Sequence, residues 1–144
     1  MDILGFVWPV FSRSFFLFRN IIHMDIKPPN FITVCGKMKV IDLGCAEQIP
    51  EGKEYLLCRT SKGTEGYMGP ECTKPIEGKH FQYSLKTDSY SLGVVLTFLL
   101  SKTNNLEHYN NHLSVYLKSV VQTIMNDEQL LRKSAKEMYE YLRN

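Results

Sequence analysis

Zinc-ligand spacing is missing from this sequence: Cys35, Cys45, Cys58 and Cys72 stand 10 to 14 residues apart and form no C-x-x-C pair. They read as reduced thiols of an intracellular protein, cytoplasmic or nuclear. Charge of one sign is scarce as well. A net charge of +2 with acids and bases interspersed leaves no basic stripe, so no nucleic-acid partner is expected. Nor does any apolar run reach the roughly 18 to 20 residues of a membrane span. The nearest approach is Ile3 to Phe18, which Pro9 and Arg13 interrupt. Asp2 stands where a secretory signal carries positive charge, and no small-residue cleavage site follows, so a buried soluble segment is expected there and no membrane partner. The composition of a disordered chain is lacking too: 44% of residues are hydrophobic and 12% aromatic, enough to build a core. At 144 residues the chain has room for one domain.

Along the chain, Val10 to Phe18 has the character of a short helix. Apolar stretches at Phe31 to Val34 and Met38 to Ile41 flank Cys35-Gly36-Lys37, which predicts two short strands and a tight turn. Gly44 to Tyr83 holds six of the nine glycines and shows no sustained period, so it reads as one long ordered loop of the functional kind. Helical character returns at Thr87 or Asp88, and Tyr90 to Leu100 is apolar on nearly every face, as a central helix is. Leu113 to Met125 repeats apolar residues at helical spacing, and Leu130 to Leu142 offers a closing amphipathic helix. The fold class expected is mainly α with a short β-hairpin.

Four motifs carry the chemistry. His23-Met24-Asp25-Ile26-Lys27-Pro28-Pro29-Asn30 opens directly after the apolar pair Ile21-Ile22. Phosphoryl transfer to a hydroxyl needs a carboxylate beside the incoming oxygen, a cation near the transferred phosphate and a metal ligand. Asp25, Lys27 and Asn30 offer these in that order, although such residues in a turn also serve as plain turn chemistry. Val40-Ile41-Asp42-Leu43-Gly44 follows, an acid and a glycine at a strand end, which taken alone is also an ordinary strand-to-turn sequence. Next come Gly63-Thr64-Glu65-Gly66-Tyr67-Met68-Gly69-Pro70-Glu71 and Thr87-Asp88-Ser89-Tyr90-Ser91-Leu92-Gly93.

Taken together and in this order, the motifs resemble the eukaryotic-type Ser/Thr protein kinase family. The first resembles its H-R-D-x-K-x-x-N catalytic loop, with Met24 in the arginine's place. The second resembles D-F-G, with Leu43 in the middle. The third resembles G-T-x-x-Y-x-A-P-E, with Gly69 for alanine, and the fourth resembles the start of the family's central helix. Asp127 to Met138 resembles the D-P-x-x-R-P-x-x-x-E-L segment. The resemblance implies Asp25 as catalytic base, Lys27 as phosphate cation, and Asn30 and Asp42 as Mg²⁺ ligands for ATP. It implies supporting roles for His23, Gly44 as the residue that turns the chain out of its strand, and Thr64. It pairs Glu71 with Arg132, unless Arg132 is solvated on a helix face. Asp88 is implied to accept hydrogen bonds from catalytic-loop amides, besides or instead of capping its helix.

The sequence departs from the family by lacking G-x-G-x-x-G, the strand lysine and its helix glutamate. The expectation is therefore a kinase C-terminal lobe over 19–144 without the N-terminal lobe, preceded by a remnant apolar segment over 1–18. The activity implied is phosphoryl transfer from Mg-ATP to protein Ser/Thr, with an N-terminal lobe supplied from elsewhere. The alternative is a non-catalytic lobe mimic that binds another kinase, its substrate or its regulator. A protein substrate or a partner kinase is the partner expected. With Met24 in the arginine's place, a phosphate on Thr60 or Ser61 has no evident anchor.

Overall fold

The computed structural model describes residues 20–102, 111–129, 131–134 and 137–138. The remnant segment over 1–18 and the helix expected at Val10 to Phe18 lie outside them. The predicted hairpin forms from β2 (Phe31–Val34) and β3 (Lys37–Val40), antiparallel with Phe31 opposite Val40. Cys35 and Gly36 both adopt positive φ, 49° and 71°, the conformation that a two-residue hairpin turn requires and that glycine accepts without strain.

β1 (Ile21–Ile22) pairs antiparallel with β4 (Glu47–Gln48), and β5 (Leu56–Cys58) pairs antiparallel with β6 (Phe81–Tyr83). The stretch Gly44 to Tyr83 is therefore not one loop but is stitched down by three short strands and a 3₁₀ turn at Pro70–Cys72. Strands of two or three residues are too short to display a period, so the pattern could not reveal them. Among the described residues the β content is thus three antiparallel pairs rather than a single hairpin.

Helix α1 (Leu85–Lys102) begins ahead of the expected Thr87. Ser84 caps it: its hydroxyl accepts the Lys86 N–H at 3.2 Å, and Thr87 Oγ1 accepts the Ser84 N–H at 3.0 Å. This reciprocal arrangement is a capping box, and it corrects the reading of Asp88 as the cap. Asp88 lies in the first turn, free to face elsewhere. Helix α2 (Asn111–Ile124) packs Leu117, Val120 and Ile124 against Leu92, Val95 and Leu96 of α1, with Ile26 and Met138 completing the cluster. A second buried cluster, built from Ile22, Met24, Ile49, Cys58, Cys72 and Tyr83, lies under the short strands.

Of the closing helix expected at Leu130 to Leu142, residues 131–134 are turn, bend and irregular chain instead of helix, Glu137 and Met138 are helical, and the others lie outside the described residues. It too starts at a capping box, with the Ser134 N–H donated to the Glu137 carboxylate at 2.7 Å. No described helix is long and apolar enough to cross a membrane. All four cysteines are free thiols, and burial pushes Cys72 up to about 12.

Candidate active site

The loop between β1 and β2 carries the first motif. Pro28 and Pro29 open a 3₁₀ turn that ends at Asn30, where missing N–H groups cost nothing and fixed φ favours the turn. Four side chains converge here. Asp25 Oδ1 accepts the Thr64 hydroxyl at 2.6 Å, and Asp25 Oδ2 lies 2.8 Å from Lys27 Nζ. Lys27 Nζ also donates to Thr64 Oγ1 at 2.9 Å, closing a triangle. The Asn30 amide nitrogen donates to the Asp25 carbonyl at 2.7 Å and, at 3.4 Å, to its carboxylate.

Burial opposes the charge on Asp25, but the bonds from Lys27, Thr64 and Asn30 together overcome it and hold the carboxyl below its ordinary range. The hydrogen bond to Asp25 raises Lys27 in turn. At neutral pH the pair is ionised. The stability that Asp25 contributes is therefore present at neutral pH and lost as pH falls through its lowered value.

Two anchors hold this loop. His23 is buried, its Nε2 donating to the Ile41 carbonyl at 3.0 Å and its Nδ1 accepting the Asp25 N–H at 3.3 Å. A carbonyl can only accept and an amide N–H can only donate, which fixes the proton on Nε2. Asp88 accepts the His23 N–H at 2.7 Å and the Met24 N–H at 3.0 Å, tying α1 to the loop across 65 and 64 positions. Burial pushes Asp88 up to about 6 against the pull of those two amides.

A raised carboxyl favours the folded state while protonated. Its contribution is complete below about pH 4 and is lost as pH climbs through about 6. The Asp88 carboxyl carbon is accordingly expected to titrate near pH 6 by NMR. A midpoint at or below about 4, the ordinary carboxylate value, would contradict this.

The second motif reaches the site through backbone. The Ile41 N–H donates to the Asn30 carbonyl at 2.9 Å, extending the β2–β3 ladder by one step, with Ile41 opposite Asn30 and Asp42 one residue beyond. Asp42 is exposed and has φ 64°, a left-handed conformation uncommon outside glycine and clustered at functional sites. The left-handed residue at the strand end is therefore Asp42, and Gly44 stands in the turn that follows, closed by the Ala46 N–H on the Leu43 carbonyl at 3.0 Å. Gly44 also gives its N–H to Asp42 Oδ1 at 3.2 Å.

Gly63 explains how Thr64 gets so close. Its φ is 106°, and a Cβ there would sit 2.5 Å from the Met24 carbonyl oxygen. Gly63→Ala is expected to destabilise the fold by about 2 kcal/mol or more, through backbone strain and the forced separation of the two segments. Denaturant unfolding checks this, and a change within about 0.5 kcal/mol, as at an ordinary surface site, would contradict it.

Glu71 and Arg132 form a second network. Arg132 Nη1 and Nη2 reach the two Glu71 oxygens at 2.8 and 3.2 Å. The guanidinium also donates to the Asn126 and Lys86 carbonyls at 2.9 and 3.1 Å and lies 4.7 Å from the centre of the Tyr90 ring. The arginine side chain is 0% exposed, so it is not solvated on a helix face. The Glu71 carboxylate folds back over Gly69, where a Cβ would meet its oxygens at 2.6 and 2.7 Å. That is the one position of the third motif at which glycine replaces the family's alanine.

Other contacts of the site were not signalled by any role read from the sequence. Thr87 and Gln129 add hydrogen bonds to Glu71 Oε1 at 3.2 and 3.4 Å. Lys62 is ion-paired with Glu47 on β4, and its backbone is held by Tyr83. A lone lysine in a glycine-rich stretch and a tyrosine in a three-residue strand carry no signal for such roles.

A family model described as "Protein kinase domain" matches residues 14–143. The chain belongs to the protein kinase family. It is 30% identical over 102 residues to the dual specificity protein kinase TTK of Mus musculus, covering 67% of this chain and 12% of that one. It is 33% identical over 87 residues to the serine/threonine-protein kinase MPS1 of Saccharomyces cerevisiae, covering 54% of this chain and 11% of that one. To the probable serine/threonine-protein kinase PBL28 of Arabidopsis thaliana it is 35% identical over 116 residues, 78% of this chain and 29% of that one. The chain thus spans a small fraction of the length of the kinases that it matches. The fold is that of a protein kinase domain, with the described helices and small antiparallel sheets as its parts.

Proposed function

We propose that this chain carries the catalytic lobe of a Ser/Thr protein kinase, which transfers the γ-phosphoryl group of Mg-ATP to a protein hydroxyl. The observation that carries this reading is the triangle of Asp25, Lys27 and Thr64. A hydroxyl entering it meets an ionised carboxylate that accepts its hydrogen bond and takes its proton as the new P–O bond forms. Lys27, within reach of the same point, offers positive charge to the phosphoryl oxygens. Thr64 fixes the carboxylate in one rotamer. Relatives named serine/threonine-protein kinases support the choice of acceptor, and the name of the mouse relative widens it to dual specificity. A lobe that merely docks on another protein would need none of these half-buried polar bonds.

The donor set fits a hard cation. Asp42 presents an exposed carboxylate, and Asn30 turns its amide nitrogen toward Asp25, leaving Oδ1 as the end available to a metal. Asn30 and Asp42 would hold Mg²⁺, which when bound neutralises phosphate charge. The described residues on this reading form the floor of the nucleotide site. The roof, for which the sequence has no G-x-G-x-x-G, comes from another polypeptide segment.

The 144-residue chain by itself is therefore expected to bind Mg-ATP weakly, with NMR shifts centred on Asn30 and Asp42 that vanish in Asp42→Asn. Shifts centred elsewhere would count against the assigned ligands. Low-micromolar affinity in a calorimetric titration would contradict the separate roof.

A further inference from the structure

The segment that delivers Thr64 to Asp25 is held by a residue outside all four motifs. Tyr83, the last residue of β6, is completely buried. Its hydroxyl accepts the Lys62 N–H at 2.6 Å and donates to the Lys62 carbonyl at 3.0 Å, so one side-chain oxygen satisfies both polar groups of a single residue. Two residues further on stands Thr64. Between them lies Gly63, at φ 106°, whose backbone has the greatest conformational freedom of any residue and cannot by itself hold Thr64 in place.

On the other side of Lys62, Leu56 pairs with Tyr83 in the β5–β6 ladder, and the Lys62 side chain is tied to Glu47. A core position filled for volume alone would be better served by phenylalanine, because a buried hydroxyl is costly unless it is bonded. Here the hydroxyl is bonded twice, and to the segment rather than to the core. Burial also raises the Tyr83 pKa, which keeps its proton available for the Lys62 carbonyl.

We propose that Tyr83 is a positioning residue for this site: its hydroxyl clamps the Lys62 peptide groups and so sets Thr64 against Asp25. The inference rests on the catalytic reading of Asp25, but its test needs no turnover. Tyr83→Phe keeps the ring and removes one oxygen. In the whole chain it is expected to speed amide exchange at Lys62 about tenfold, the effect of one lost hydrogen bond, while the Cys58 and Phe81 amides change far less.

The Thr64 amide and methyl signals should shift as well, because the bond from Thr64 to Asp25 depends on the held segment. A tyrosine that only fills the core would change exchange uniformly and leave the Thr64 signals where they were, and that result overturns the proposal. Should Tyr83→Phe fail to fold, exchange in the unaltered protein decides. A Lys62 amide protected far beyond those of Glu65 and Gly66 supports the clamp, and parity with them overturns it. Failure of phosphoryl transfer with these readouts intact would count against the catalytic reading and leave the clamp standing.

Discussion

Arg132→Ala is expected to lower the melting temperature by about 10 °C, the equivalent of roughly 3 to 5 kcal/mol in a chain of this size. The magnitude follows from what is stranded. The guanidinium is fully buried and bonded to Glu71, to two backbone carbonyls and to the face of Tyr90. Removing it leaves the Glu71 carboxylate, itself 13% exposed, without its counter-ion, and leaves the Asn126 and Lys86 carbonyls short of a donor. Glu71→Ala should do comparable harm by isolating the cation.

The double variant should lose less than the sum, because the second truncation removes a charge that is already unpaired. Strict additivity, or single losses of about 1 kcal/mol or less as for an exposed pair, would contradict a coupled buried bridge. The bridge ties the end of the Gly63–Glu71 segment to the chain beyond α2. Its loss should therefore loosen the segment that presents Thr64.

Asp25→Asn is expected to reduce phosphoryl transfer by about a hundredfold to ten-thousandfold, the range for removing a general base. Asparagine keeps the shape but cannot ion-pair with Lys27, so the charge across the triangle is lost along with the proton acceptor. Because Asp25 is only one of several polar tethers of the loop, the fold should survive, and a matching melting curve must accompany the kinetic loss. A rate within about threefold of the unaltered protein would remove Asp25 from the mechanism, being less than 1 kcal/mol of the barrier.

Much of this site could be read from the chain because each motif is local. Asp25, Lys27 and Asn30 sit within six residues of one another, and a turn of that length leaves them little freedom to part. The hairpin was legible for the same reason, being set by the pair Cys35-Gly36. The link from Glu71 to Arg132 came from family resemblance, since nothing in local pattern joins residues 61 positions apart. Three features stayed hidden. Ser84 caps α1 through a serine and a threonine, a weaker signature than one ending in Glu or Gln. The strands at Glu47–Gln48, Leu56–Cys58 and Phe81–Tyr83 are stabilised by long-range pairing and show no alternation of their own. The hold of Tyr83 on Lys62 depends on a hydroxyl meeting a peptide group across 21 positions, which no sequence period encodes.

The central claim is that the triangle of Asp25, Lys27 and Thr64 transfers phosphate to serine or threonine. Its most direct test is phosphoamino-acid analysis with γ-labelled ATP, using the protein isolated from its source with whatever partner it carries, beside the Asp25→Asn and Asp42→Asn variants. The account predicts label on serine and threonine, lost in both variants. Label surviving in both, or found on tyrosine alone, would contradict it.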